Sequence, residues 1–174
     1  MMFWRGIFRT RSRTSSASLV LWPVASFEGA CAREKLMESF RVLEHTADIG
    51  FEAFGPTREE VFANAGRALQ NIMVDLNSIV PREGLEIQVE GADAGSLLVN
   101  WLSEILYHID ADGRLFHDFK VRNLNDRSLT AIAHGESFDR ARHQVKLQVK
   151  AITYHQLTLD KTAEGWRAQV YVDI

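Results

Sequence analysis

Two aspartates stand where strand-like patterns of the sequence end. Asp48 lies in HTADIG, which separates FRVLE from FEAFG, and Asp173 is next to last in the closing VYVDI. Alternation in the closing run sends Val170 and Val172 to one face, so the side chain of Asp173 points away from the core. Its carboxylate is covalently held beside the main-chain carboxylate of Ile174, and two such groups repel each other when no cation lies between them.

If HTADIG runs beside the end of the last strand, Asp48 adds a third carboxylate to this pair. Three hard oxygen ligands form a donor set that Ca²⁺, Mg²⁺ or Mn²⁺ accepts. The pattern alone favours a simpler interpretation, because an Asp between strands often bonds its own backbone in a turn and a terminal Asp-Ile often frays. A divalent-cation site and ordinary chain ends therefore remain alternatives at this point.

The other residues that could do chemistry form no recognised catalytic motif. The six histidines show no HExxH or other close ligand spacing, and there is no nucleophile elbow, phosphate-binding loop or dinucleotide fingerprint. Cys31 is the only cysteine, which excludes an internal disulfide and a cysteine-based zinc site. Lys150 faces away from its apolar neighbours on an alternating strand, where it is either solvated or in contact with a partner. An autonomous nucleotide-using enzyme is disfavoured.

Two amphipathic helices and several strands must position these residues. The first helix is predicted from about residue 58 to 75, with Thr57 as its cap and Glu60 as the reciprocal member of a capping box. The second is predicted between Asp93, as its cap, and Gly113. Alternating apolar residues predict two strands before the first helix, one between the helices and four after the second, one of which contains Val145, Leu147 and Val149. The predicted fold is a single-domain α+β sandwich in which two helices pack on a mixed, largely antiparallel β-sheet.

The N-terminal residues differ in composition from the remainder. They are rich in Arg and Ser and contain no acidic residue before Glu28. We interpret residues 1–38 as an extension and residues 39–174 as the folded domain. The extension is either a disordered segment or the product of a start codon assigned too early, since translation could begin at Met37; a transit peptide is the alternative. We expect a cytoplasmic protein, with organelle targeting by residues 1–36 left open.

The folded part is acidic. Residues 37–174 carry 14 basic and 21 acidic groups. Proteins that bind nucleic acid directly usually present a basic patch, because neutralising phosphates supplies most of the affinity. No apolar run reaches the roughly 18 to 20 residues of a membrane-spanning helix. We therefore expect a protein partner or a cation, no strong direct binding of nucleic acid and no membrane insertion; the oligomeric state is not predicted.

Four separated segments resemble the archease family. They are LEHTADIGFEAFG, LLVNWLSEILY, GESFDRARHQVKLQVKAITYHQL and VYVDI, which occur in the order and spacing of the family across roughly residues 40 to 174. The resemblance implies a small α+β protein that activates an RtcB-type RNA ligase in tRNA splicing or RNA repair. Such a helper promotes GTP-dependent guanylylation of the ligase histidine and multiple turnover, and it is not itself an enzyme.

The resemblance also implies roles for particular residues. Asp48, Asp173 and the main-chain oxygens of Ile174 would bind a divalent cation, Ca²⁺ in the first place and Mg²⁺ or Mn²⁺ as alternatives. Lys150 falls where the family has a lysine and is implied as a residue of partner contact or activation. Two histidines are further candidates for that role, His45 and His143.

Two other functions stay open. One is a chaperone-like modulator of another RNA-modifying enzyme, such as a tRNA methyltransferase, a role also proposed within this family. The second is a metal-dependent phosphoesterase that uses Asp48, Asp173 and His45 around one cation, although the sequence offers no general base or second metal cluster beside them.

Overall fold

The computed structural model describes residues 38–44 and 49–174. The predicted extension therefore lies outside the described residues, apart from Glu38, and so do His45 and Asp48. The described ranges contain eight strands and two α-helices. In chain order they are β1 (Phe40–Glu44), β2 (Ile49–Gly55), α1 (Arg58–Met73), β3 (Glu83–Glu90), α2 (Ala94–Asp112), β4 (Arg114–Leu124), β5 (Ser128–Ser137), β6 (Ala151–Ile152), β7 (Thr158–Thr162) and β8 (Gly165–Asp173).

The strands form two antiparallel sheets. One has the order β1-β2-β8-β6, with β7 also paired to β8, and the other has the order β3-β5-β4. All pairings between described strands are antiparallel. The α+β class with two helices is confirmed, whereas the single mixed sheet expected from the sequence is replaced by two antiparallel sheets. Alternation shows which face of a strand is buried but does not identify its partner, so the pattern could not reveal this division.

Both helices begin at the predicted caps. The side-chain oxygen of Thr57 accepts the N–H of Glu60 at 3.3 Å. At the start of α2, the Asp93 carboxylate accepts the N–H of Ser96 at 2.7 Å, and the Ser96 hydroxyl accepts the N–H of Asp93 at 2.9 Å, which completes a capping box. Gly113 ends α2 in the left-handed conformation with φ 60°, which a residue without a Cβ adopts at little cost.

Helix α1 ends at Met73, earlier than the predicted position near residue 75. The next residue, Val74, is extended and forms an isolated antiparallel bridge with Val145. The predicted strand around residues 145–149 is consequently not a ladder strand of either sheet. Its first residues pack against the end of α1, and the paired strand β6 begins only at Ala151.

The core lies between the helices and the sheets. Trp101 of α2 is fully buried, and its indole N–H donates to the carbonyl oxygen of Phe62 in α1 at 2.9 Å. Its ring meets that of Phe119 edge-on, with centroids 5.5 Å apart. A Cβ on Gly66 would lie 2.8 Å from the Phe119 ring, so a glycine is required where α1 crosses β4. These contacts join both helices to the three-stranded sheet.

The pairing of β2 with β8 sets the position of the acidic residues. It runs from Gly55 opposite Trp166 to Ile49 opposite Val172. The start of β2 and the end of β8 thus lie at the same edge. Neither described helix is long and apolar enough to cross a membrane.

Candidate functional site

The end of β8 is held by the segment that leads into β6. Asp173 is the register partner of Ala151, and its carbonyl oxygen accepts the N–H of Lys150 at 2.8 Å. This antiparallel pairing brings together residues that are more than twenty positions apart in the sequence. The structure therefore places Lys150 beside Asp173 and Ile174, three of the residues selected from the sequence. We call the exposed end of β8 that carries these three residues the acidic edge.

A second contact joins Lys150 to the last residue. Its ammonium group donates to the main-chain oxygen of Ile174 at 2.8 Å. Lys150, Asp173 and Ile174 are all exposed, and an exposed ion pair contributes little to the free energy of folding. The contact does show that a main-chain oxygen of Ile174 accepts a positively charged group.

Two residues selected from the sequence lie outside the described residues. They are Asp48, the third ligand of the predicted cation site, and His45, a candidate for partner contact. Asp48 directly precedes Ile49, the register partner of Val172. Within residues 38–44 and 49–174, no three or more His, Cys, Asp or Glu side chains are close enough together to hold a metal ion. The three-carboxylate site thus stays a prediction.

Gly50, the last residue of HTADIG, has a clear steric role. It is buried in β2 opposite Tyr171, and a Cβ at this position would lie 2.8 Å from the Tyr171 ring and 2.9 Å from the carbonyl oxygen of Val170. Contacts below 3.0 Å cannot be accommodated without moving the strand. The glycine therefore lets the Tyr171 ring lie close against β2, two residues before Asp173.

His143 lies in a different environment from the other candidates. It is 3% exposed, and its Nδ1 accepts the N–H of Asp139 at 2.9 Å. The ring proton of the neutral imidazole is therefore on Nε2, which lies 3.2 Å from Oε1 of Glu136 and donates to it. In this arrangement both ring nitrogens are engaged within the chain, so His143 positions Glu136 and presents no ring atom to a partner.

Glu136 is the centre of a buried polar cluster that the sequence did not reveal. Arg142 binds its carboxylate with two hydrogen bonds, of 2.7 and 3.1 Å, and the N–H of Val80 donates to it at 2.8 Å. These hydrogen bonds lower the pKa of Glu136 to about 2. In turn, hydrogen bonds to Glu136 and Asp139 raise the pKa of Arg142. An acidic and a basic residue six positions apart in GESFDRAR were the available signal, but that spacing carries no information on burial.

The chemistry of the exposed edge suits a hard cation better than a proton-transfer reaction. Its donors are the Asp173 carboxylate and the main-chain oxygens of Ile174. Oxygen atoms are the ligands that Ca²⁺, Mg²⁺ and Mn²⁺ bind. The Lys150 ammonium already lies 2.8 Å from one of these oxygens as a positively charged stand-in. The donor type fits a divalent cation, whereas the described residues supply donors from Asp173 and Ile174 alone, so the predicted set of three depends on Asp48.

Fold and edge together define a class of protein: a small α+β domain with an exposed, acidic strand end and no nucleotide-binding loop in its sequence. The model of the Archease protein family matches residues 40–174. The chain belongs to the archease family.

Relatives and solved structures agree with this assignment. Protein archease of Methanosarcina barkeri is 45% identical over 141 residues, which are 79% of this chain and 97% of the relative. Protein archease of Pyrococcus abyssi is 40% identical over 142 residues and is covered completely. The solution structure of protein 1598 from Methanobacterium thermoautotrophicum shares 32% identity, with a TM-score of 0.67 over 78% of this chain and 99% of that one.

A more distant structure shows the fold alone. The crystal structure of an archease from Thermotoga maritima, described as a possible chaperone, is 20% identical and has a TM-score of 0.51 over 76% of this chain and 94% of that one.

Proposed function

We propose that this protein is a non-catalytic activator of an RtcB-type RNA ligase in tRNA splicing or RNA repair. In this role it promotes the guanylylation of the ligase histidine by GTP and so supports multiple turnover. The nucleotide chemistry belongs to the ligase, since this sequence has no nucleotide-binding loop of its own. Membership in the archease family supports the proposal.

The observation that carries the proposal is the convergence of Lys150, Asp173 and Ile174 at one exposed edge. There the Lys150 ammonium donates to a main-chain oxygen of Ile174, and the Lys150 N–H donates to the carbonyl oxygen of Asp173, both at the surface of the protein. Exposed charges that contribute little to folding can contact a partner without loss of stability. The edge can meet a partner without any rearrangement of the fold.

A divalent cation is the second part of the proposal. Asp173, the main-chain oxygens of Ile174 and Asp48 would hold it, with Ca²⁺ as the first choice. When bound, such an ion would supply a concentrated positive charge that phosphate or carboxylate oxygens can bind. The protein's own contribution is to keep its carboxylates at the end of β8, where the backbone bond from Lys150 to Asp173 fixes the strand.

Charge complementarity gives a physical reason for the encounter. Residues 37–174 carry 21 acidic and 14 basic groups, whereas an enzyme that binds RNA and GTP needs a basic surface to neutralise phosphates. Opposite potentials accelerate association and orient the partners, and the effect decreases with ionic strength. An acidic edge is therefore suited to approach a phosphate-binding active site.

The proposal is tested by single-turnover guanylylation of the cognate RtcB-type ligase with and without this protein. We compare the wild type with Asp173→Asn and with Asp160→Asn, an exposed aspartate on β7 of the same sheet. Wild type and Asp160→Asn are expected to stimulate guanylylation equally, and Asp173→Asn much less.

Other outcomes would contradict parts of the proposal. Full stimulation by Asp173→Asn would show that the Asp173 carboxylate of the acidic edge has no part in stimulation. No stimulation by the wild type would reject the activator role and favour the chaperone-like alternative, in which an RNA-modifying enzyme such as a tRNA methyltransferase is the client. Co-purification with a methyltransferase in the absence of a ligase would then support that alternative.

A further inference from the structure

A surface groove of about 360 Å³ lies where α1 and α2 end. Three buried residues, Met73, Val74 and Leu115, line it together with two apolar residues that remain open to solvent. Those two are Phe138 and Val145, which are 38% and 55% exposed. The groove therefore offers an apolar surface that no described residue covers.

The groove is continuous with the candidate site. Leu147 and Gln148 also line it, and Lys150, which bonds Ile174, follows two residues later. The connecting segment is fixed at both ends, because Lys146 donates its N–H to Met73 at 2.8 Å and Lys150 donates its N–H to Asp173 at 2.8 Å. A partner seated on the acidic edge would therefore lie beside the groove.

Of the two helix ends beside the groove, the end of α2 favours a positively charged partner. Neither helix carries a basic residue in its last turn, although the C-terminal end of a helix attracts cations. At the end of α1 the ammonium group of Lys146 supplies this charge by donating to the carbonyl oxygen of Asn71 at 3.2 Å. At the end of α2, Asp110 lines the groove instead, so the negative charge there is increased.

We propose that this groove is a docking site for an apolar side chain flanked by Lys or Arg on the surface of the RtcB-type ligase. The inference rests on the proposed function, which supplies the identity of the partner. Apolar anchors that fill a pocket dominate the affinity of protein complexes, and the charges around them govern association and specificity. The groove thus determines affinity, while the acidic edge determines stimulation.

The experiment measures binding and activation separately, with full-length protein. Binding to the ligase is measured by biolayer interferometry at two salt concentrations for the wild type, Val145→Gln and Asp110→Asn. The matched control is Val80→Gln, since Val80 is 42% exposed and does not line the groove. Guanylylation is then measured at saturating concentrations of each protein, and melting temperatures check that all variants are folded.

We expect Val145→Gln to raise the Kd about five- to tenfold, because it puts a polar side chain into the wall of the pocket that receives the ligase's apolar anchor. Asp110→Asn should slow association about twofold and reduce its dependence on salt. Val80→Gln should leave the Kd unchanged, and maximal stimulation of guanylylation should be the same for all four proteins.

Three results would overturn the inference or separate it from the proposed function. Equal Kd values for Val145→Gln and Val80→Gln would overturn the groove as a docking site and leave the activator role intact. No binding of the wild type to the ligase would show that the ligase is not the docking partner. Binding of the wild type without stimulation would reject the activator role, while the comparison of Kd values would still decide on the groove.

Discussion

Two contacts between carboxylates and cations in this chain use similar chemical groups in opposite ways. Glu136 is 6% exposed and receives hydrogen bonds from Arg142, His143 and the N–H of Val80. At the end of β8 the oxygens of Ile174 receive one bond, from Lys150, and within the described residues no donor contacts the side chain of Asp173. The Glu136 carboxylate is therefore fully hydrogen-bonded inside the protein, whereas the oxygens at the end of β8 are available at the surface.

The difference shows what each region does. A buried carboxylate is stable only when its oxygens are bonded, and its removal leaves buried donors unpaired, so the Glu136 cluster maintains the fold. Exposed carboxylates are solvated and pay no such penalty, so the end of β8 can be altered without damage to the core. Exposed, unsatisfied oxygens remain free to bind a cation or a partner. The two regions should consequently respond to mutation in different measurements.

The largest change in stability is expected for Glu136→Gln. The amide cannot hold Arg142 with two charge-assisted hydrogen bonds, and one of its NH₂ hydrogens would face the N–H of Val80 or the guanidinium. The melting temperature should fall on the order of 5–10 °C, measured by calorimetry. The Ca²⁺ affinity of the folded protein should not change. A melting temperature equal to that of the wild type would contradict the structural role of the cluster.

Acid should weaken the same cluster in a defined range of pH. The folded pKa of Glu136 is lowered to about 2, below the ordinary value of 4.5. A lowered pKa contributes stability above the unfolded pKa, and this contribution is lost as the pH falls from about 5 towards 2. Thermal unfolding recorded across this range should show a smaller loss of stability for Glu136→Gln than for the wild type. An equal loss of stability in the two proteins as the pH falls would refute the low pKa of Glu136.

The acidic edge should show the opposite response. We expect Asp173→Asn to change the melting temperature by no more than about 1 °C, because the side chain is exposed. The loss of one ligand charge should weaken Ca²⁺ binding on the order of tenfold in isothermal titration calorimetry. Asp160→Asn serves as the control for the change in net charge. Unaltered Ca²⁺ affinity in Asp173→Asn would exclude this residue as a ligand.

The smallest effect is expected for Lys150→Gln. Its ammonium group and a divalent cation would compete for the oxygen of Ile174, so removal of the ammonium should strengthen Ca²⁺ binding by a factor of about two to three. The melting temperature should remain close to that of the wild type. Weaker Ca²⁺ binding would instead mean that Lys150 orients the terminal oxygens. Lys146→Gln provides a control, since Lys146 bonds Asn71 at the end of α1.

Local features of the fold could be predicted from the sequence because they depend on neighbouring residues. The caps Thr57 and Asp93 and the left-handed Gly113 each act within one turn of a helix, and all three were predicted. The division into two sheets could not be predicted, since it depends on which strands meet. Residues 145–149 show the same limit. Their apolar residues alternate as in a strand, but Val145 bridges Val74, directly after α1, and does not pair with a strand.

Part of the candidate site could be predicted from the sequence. Period-two geometry predicted that Asp173 faces away from the core, and the structure shows it exposed. The contact of Lys150 with Ile174 depends on the pairing of β6 with β8, which no local pattern indicates. The burial of Glu136 also depends on a distant part of the chain, because its carboxylate accepts the N–H of Val80, 56 positions earlier. The place of Asp48 in the site remains a prediction.

The most direct test of the central claim is an extension of the chain beyond Ile174. Single-turnover guanylylation of the RtcB-type ligase is measured with protein that ends at Ile174 and with protein that carries a short Gly-Ser tag after it. The tag converts the carboxylate of Ile174 into a peptide carbonyl, moves the terminal charge away from this site and leaves β8 paired. We predict that stimulation is lost while the melting temperature is unchanged. Equal stimulation by both proteins would contradict a role for the terminal oxygens.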